Sequence, residues 1–226
     1  PISSSIYKNA NILAVDLSLT SLAYAKRKTE ELNIKNIEFL HADILNLKNL
    51  NKKFDIIESA GVLHHMDDPM AGWKVLTSCL KPGGLMRIAL YSELARQNIV
   101  RIRDEIKQSD IDSNDDAMKL FRNKMVNSKE GHHKLEVLSS DFYSMSTFRD
   151  LLFHVQEHRF TIPQIKNSLT ELGLVFCGFE ANKIIKKFKI GNLSENAVYD
   201  LQKWEIFETQ NPRIFSGMYQ FWCQKI

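Results

Sequence analysis

The chain has 226 residues, of which 44% are hydrophobic and 25% charged, with a formal net charge of +3. That composition supports a buried core in one generous domain, or in a domain with a sizeable insertion. The small charge comes from scattered lysines and leaves no footprint for nucleic acid; no apolar run approaches a membrane span and nothing near Pro1 resembles a signal peptide, so no nucleic-acid or membrane partner is expected and the expected setting is cytoplasmic. Cys79, Cys177 and Cys223 lie far apart in apolar stretches, which reads as buried free thiols and neither a disulfide frame nor a zinc site.

In the first half, strand-like and helix-like segments take turns. Asn11–Leu17 is an apolar run ending in an acid, with Ser18 placed to cap the amphipathic stretch from Leu19 to Asn33. Ile37–His41 and Phe54–Glu58 read as the next strands. Asp68-Pro69 starts a helix that carries Met70, Trp73, Leu76 and Leu80 at helical spacing. Lys81-Pro82-Gly83-Gly84 stops it and turns into the strand Leu85–Tyr91. The alternation predicts a parallel sheet covered by helices. Residues 93–161 differ: Glu93–Gln108 and Asp115–Val126 read as helices flanking an acidic turn, and Asp141–Thr161 is dense in aromatic, His and Arg residues. The α/β pattern returns over residues 162–226. Ile162, Ile165, Leu169 and Leu172 form a stripe closed by Gly173; Leu174–Phe179 is a strand; a polar helix lies around Glu195–Glu208; Met218–Cys223 is the last strand.

Two acids stand at predicted strand ends. Asp16 there can accept both ribose hydroxyls of a nucleotide, and Asp43 can meet an adenine amino group while Ile44 offers an apolar face. Each is also placed to cap the segment after it. The strand from Phe54 runs into the small residues Ser59, Ala60 and Gly61, followed by the pair His64-His65. Adjacent histidines point in different directions and no third ligand is near them, so no metal ligand is assigned.

The series Ile12-Leu13-Ala14-Val15-Asp16-Leu17-Ser18, Ala42-Asp43-Ile44, Phe54-Asp55 through Val62-Leu63-His64-His65, and Leu80-Lys81-Pro82-Gly83-Gly84-Leu85 resembles the class I S-adenosylmethionine-dependent methyltransferases, in particular their small-molecule, ubiquinone-biosynthesis-like branch. The resemblance implies a Rossmann-like α/β sheet, mostly parallel with its last strand antiparallel. It implies S-adenosylmethionine as cofactor, bound by Asp16 at the ribose, by Leu17, Ala42, Asp43 and Ile44 around the adenine, and by Glu58, Ser59 and Ala60 beside the methionine moiety. Residues Asp141–Glu180 and Gly217–Trp222 resemble a subgroup whose members often carry this domain behind tetratricopeptide repeats, so such repeats are expected upstream. The acceptor is unidentified, and a small molecule is expected.

The family's glycine loop, acid-x-Gly-x-Gly-x-Gly, is not found among the nine glycines. The expectation is therefore a fragment: residues 1–92 a core lacking its first strand, 93–161 a helical insertion or lid, 162–226 the rest of the sheet. Its first residues are expected to be the helix after the missing loop, and the fragment alone is expected to be inactive. Methyl transfer asks mainly for alignment, with a general base only if the acceptor must lose a proton. His64, His65, Tyr143, His154 and His158 are the candidates; as helical residues four apart, His154 and His158 would share a face. Asp141–Phe160, with Arg149 among its polar residues, is expected to cover the acceptor side of the crevice. Two other readings stay open: a non-catalytic interaction module with the same fold, and a nicotinamide-dependent oxidoreductase.

Overall fold

The computed structural model describes residues 9–154 and 156–226; the helix expected over the first residues falls largely on residues 1–8, outside that range. The first layer is β1 (Ile12–Asp16), α1 (Leu19–Glu31) and β2 (Ile37–His41). Ser18 caps α1 by accepting the Ser21 amide at 3.2 Å, as its sequence position predicts. β1 and β2 form a parallel pair with Asp16 opposite His41. A 3-10 helix (Ile44–Leu50) leads into β3 (Phe54–Ala60), a short 3-10 turn (Leu63–His65) and α2 (Pro69–Cys79). Asp68 accepts the Met70 and Ala71 amides at 2.9 and 3.1 Å, and proline fills the first turn.

β4 runs Leu80–Ser92, longer than the sequence pattern predicts. Leu80 already pairs with Phe54, and the next pair joins Ile56 to Leu85. The Lys81-Pro82-Gly83-Gly84 segment is thus a bulge inside a strand, with Gly83 at φ +73°. From the carboxyl end of β4 the chain enters the insertion: α3 (Gln97–Gln108), α4 (Asp115–Val126), α5 (Gly131–Val137) and α6 (Met145–Leu152). It returns through β5 (Arg159–Phe160), which pairs with Tyr91 and Ser92 of the same β4 end. Both stems of the insertion are therefore anchored at one point.

α7 (Ile162–Glu171), β6 (Leu174–Phe179), α8 (Asn182–Gly191), a 3-10 turn (Glu195–Tyr199), α9 (Leu201–Gln210) and β7 (Tyr219–Lys225) complete the chain. The polar helix predicted over 195–208 is broken at Asp200, whose carboxylate caps α9. The larger sheet has the order β3-β4-β7-β6, with β3 parallel to β4 and β7 antiparallel to both neighbours. The β1–β2 pair is separate, so among the described residues β1 and β3 each have a strand on one side only.

Two apolar cores follow this layout. One joins Trp73, Ile88, Leu90, Phe179, Trp204 and Phe221 across the sheet. The other is internal to the insertion, built from Ile102, Met118, Phe121, Met125, Phe148 and Leu152. Cys79 and Cys223 are buried and Cys177 is half-buried, all three as free thiols. Among the described residues no helix is long and apolar enough to cross a membrane.

Candidate active site

The carboxyl ends of β1, β2, β3 and β4 carry most of the residues that the sequence pattern singles out. Asp16 ends β1, exposed, and one carboxylate oxygen accepts the Ser18 amide at 2.7 Å. The Ala42 amide bonds the Asp16 carbonyl at 3.2 Å, and Asp43 follows at once. Its carboxylate accepts the Leu45 amide at 2.8 Å. Each acid thus caps its own turn with one oxygen, as the structural alternative anticipates, while a carboxylate holds several acceptor positions. Leu17 is 69% exposed and Ile44 packs partly on the core.

Glu58, Ser59 and Ala60 lie within β3, not after it, because Glu58, Ser59 and Ala60 still pair with Arg87, Ile88 and Ala89. Ser59 is buried and its hydroxyl has no hydrogen-bond partner among the described residues. Gly61, at φ +76°, then turns the chain.

His64 and His65 sit on the turn after β3, against the end of β4. His64 is fully buried, its ring 4.1 Å from that of Tyr91, and both its ring nitrogens lack a side-chain hydrogen bond. Burial, helped by the neighbouring His65, pushes its pKa down to about 3. It is neutral at physiological pH and too weak a base to take a proton there. Burial also lowers the pKa of His65, against the opposing pull of the Gln156 carbonyl. That carbonyl lies 2.9 Å from Nδ1, so Nδ1 carries the hydrogen and Nε2 keeps a lone pair.

His154 and His158 are not helical. α6 stops at Leu152, and Arg103 from α3 takes the Leu151 carbonyl at 2.8 Å and the Asp150 carbonyl at 3.4 Å. A guanidinium there answers the carbonyls that another helical turn would have bonded. His154 instead packs its ring on His65 at 4.0 Å. The His158 amide bonds the His64 carbonyl at 2.7 Å, and its ring meets the Gln156 side chain at 3.2 Å. The sequence-predicted His64, His65, His154 and His158 do converge, through ring contacts and a backbone hydrogen bond instead of a shared helix face. Tyr143 is different: it is 68% exposed, with its ring against Phe142. Arg149 pairs with Asp115 of α4 at 2.7 Å on the surface of the insertion.

Sequence reasoning missed the charged centre of this region. The Glu157 side chain, 1% exposed, binds Arg96 at 2.5 Å and Arg103 at 3.0 Å. Burial pushes its pKa up, but the hydrogen bond and charge of Arg96, with the charges of Arg103 and Arg159, outweigh this and hold it low. Arg96 lies 3.8 Å above the Tyr91 ring. Burial raises the Tyr91 pKa, so its hydroxyl stays protonated. Beside this network is a cavity of about 150 Å³ lined by Tyr91, Arg96, Glu136, Asp141, Leu151 and Gln220, among others. It joins the end of β4, the insertion and the entry to β7. Tyr91 ends a predicted strand, and that position was the available signal.

Residues 2–150 match the family model described as "Methyltransferase domain". An uncharacterized protein of Synechococcus sp. is 25% identical over 220 residues, which are 91% of this chain and 53% of that protein. A demethylmenaquinone methyltransferase of Staphylococcus saprophyticus is 32% identical over 85 residues, 38% of this chain and 36% of its own length. PKMT2 of Rickettsia typhi, solved in complex with AdoHcy, superposes with a TM-score of 0.69 at 18% identity, over 97% of this chain and 45% of that one; at this identity the likeness is one of fold. The chain thus spans about half the length of the longer relatives it matches.

Proposed function

Because the chain belongs to the methyltransferase-domain family, we propose that it is the cofactor-binding and acceptor-binding part of an S-adenosylmethionine-dependent methyltransferase, acting on a small-molecule acceptor of the kind met in the ubiquinone-biosynthesis-like branch. The observation that carries this reading is the arrangement of the acids. Asp16 and Asp43 stand side by side at the carboxyl ends of two paired parallel strands, the position at which open α/β sheets bind nucleotides. The family's cofactor supplies a methyl group already activated on a sulfonium, so the protein's part is to bind and align.

The residues present fit that cofactor. Asp16 would hold the ribose through the oxygen that the Ser18 amide leaves free, Asp43 the adenine amino group, and Leu17, Ala42 and Ile44 the faces of the ring. The buried, unpartnered Ser59 hydroxyl supports a polar ligand beside β3, where Glu58 and Ala60 also stand. On the acceptor side, Tyr91 is a protonated donor lining the cavity, and His65 is the residue able to take a proton through Nε2. His64, His154 and His158 position it.

We further place a parallel strand with its glycine loop, supplied by the parent protein, between β1 and β3. The one-sided pairing of both strands supports this, and the greater length of the relatives leaves room for that strand and for upstream tetratricopeptide repeats.

Calorimetry on the full-length protein tests the binding site. Asp16→Ala removes charge-assisted hydrogen bonds worth roughly 1.5–3 kcal/mol each, so affinity for S-adenosylmethionine should fall about tenfold or more. Unchanged affinity in a folded variant would overturn the assignment. Equal affinity of the 226-residue chain and the full-length protein would overturn the added strand.

A further inference from the structure

Within the insertion, two histidines and a glutamate meet with no role in the site above. His132 and His133 lie in the first turn of α5, and Glu105 lies near the carboxyl end of α3. His132 Nε2 is 2.5 Å from Glu105 Oε1, and His133 Nε2 is 2.8 Å from Oε2. One ligand atom from each of the three residues lies within 4.8 Å of the others.

We propose that Glu105, His132 and His133 bind a divalent first-row transition ion of the zinc type, as a clip between α3 and α5. The donor set is the first argument: two imidazoles and a carboxylate suit such ions and do not suit magnesium or calcium, which take oxygen ligands. Preorganisation is the second. The histidine side chains are 4% and 3% exposed, and their rings lie 4.3 Å apart, with His133 edge-on to Phe121 at 6.3 Å. Packing, not solvent, therefore sets the direction of both Nε2 atoms.

Reach is the third argument. Ligand bonds of about 2.0–2.1 Å in a tetrahedral site separate donor atoms by about 3.3 Å. The two His–Glu contacts need to open by about 0.5–0.8 Å toward that value, and the widest donor separation, at most 4.8 Å, to close toward it. Glu105 is the more exposed member, at 31%, so an ion enters past it and keeps water in its fourth position. Ligation requires a lone pair on each Nε2, which leaves the ring hydrogen on Nδ1. His133 Nδ1 is buried without a hydrogen-bond partner among the described residues, so ligation through Nε2 strands no new group there. The consequence reaches the cavity, because Glu136 of the same short helix lines it.

The full-length protein, untagged and stripped with EDTA, is titrated with zinc chloride, and cobalt chloride serves as the spectroscopic probe. The expected results are one equivalent of zinc bound with micromolar or tighter affinity, a rise in melting temperature that EDTA reverses, and a low-symmetry cobalt d–d spectrum. Glu105→Gln and the double variant His132→Gln/His133→Gln should each weaken zinc binding by about tenfold or more. No saturable binding to the wild-type protein would overturn the proposal. Undiminished binding to the double variant would overturn it equally, since donors elsewhere in the protein would then hold the ion. If a variant fails to fold, the wild-type titration and cobalt spectrum still decide.

Discussion

Glu157→Ala is the sharpest test of how the insertion is held over the sheet. The carboxylate is 1% exposed and bonds Arg96, itself 6% exposed, and Arg103, 17% exposed. Removing one member of such a buried set leaves charge without compensation, which costs about 3–5 kcal/mol. Two features lower the figure here. Arg103 keeps the Leu151 carbonyl at 2.8 Å, and Arg96 keeps the Tyr91 ring at 3.8 Å. An expected loss near 3 kcal/mol corresponds to a drop in melting temperature of about 6–12 °C for a domain of this size. Glu157→Gln, which preserves shape and one acceptor, should lose less. The pH dependence has a definite direction. The folded carboxyl lies below its ordinary 4.5, so its contribution is complete above that value and is lost as pH falls below it. The Ala variant should therefore differ from wild type at pH 7 and converge with it in acid. Thermal and urea denaturation measure both. A loss under about 1 kcal/mol at pH 7 would show that the network is no more than a solvated surface pair and would refute the reasoning.

Other outcomes are equally specific. His64 has its pKa depressed to about 3, so the unfolded chain binds the extra proton first; stability should fall from about pH 6.5 downward by up to about 1.4 kcal/mol per pH unit, and His64→Leu should flatten that slope in acid titrations followed by circular dichroism. If the proposed methyl transfer holds, Tyr91→Phe and His65→Gln in the full-length protein should lower kcat and leave cofactor affinity within about twofold, whereas equal losses in kcat and affinity would assign both residues to the scaffold. Glu208 is buried, accepts the Tyr219 hydroxyl at 2.6 Å and the Ser92 hydroxyl at 2.7 Å, and has its pKa raised by burial. Glu208→Gln should thus be neutral or stabilising at pH 8, while Tyr219→Phe costs about 1–3 kcal/mol by stripping a buried acceptor; the opposite order in urea melts would contradict this.

What the sequence reveals and what it hides divide along the range of the interactions. Ser18 and Asp68 cap helices through amides two or three residues away, so their signals are local and legible. The acids at strand ends are legible for the same reason, since the strands before them are short apolar runs. The end of α6 is not legible. Arg103, some fifty residues earlier in the chain (Leu151 is its target), captures the terminal carbonyls, and no pattern near His154 announces it. The tether of His158 to the His64 carbonyl is longer still. α5 has no capping side chain and is held by Glu105 from another helix. α8 reads only as a basic run until Phe188 is seen stacked on Trp204 at 3.7 Å. The bulge in β4 hides behind the usual meaning of Pro-Gly-Gly as a stop.

The separation of the β1–β2 pair from the larger sheet bears on local stability. α1 buries only Leu22 and Thr29, and the pair meets the main core through half-buried Val15, Leu40, Ala42 and Ile44. Elements with little burial are expected to exchange amide hydrogens early, and β4, flanked by β3 and β7, late. On this burial, Asp16 and Asp43 ride on a unit expected to open more readily than the β4 end of the sheet in the described chain. A nucleotide that bridges these acids to β3 would stiffen that unit, and part of its intrinsic affinity would appear as slowed amide exchange in β1 and β2 instead of as a lower Kd.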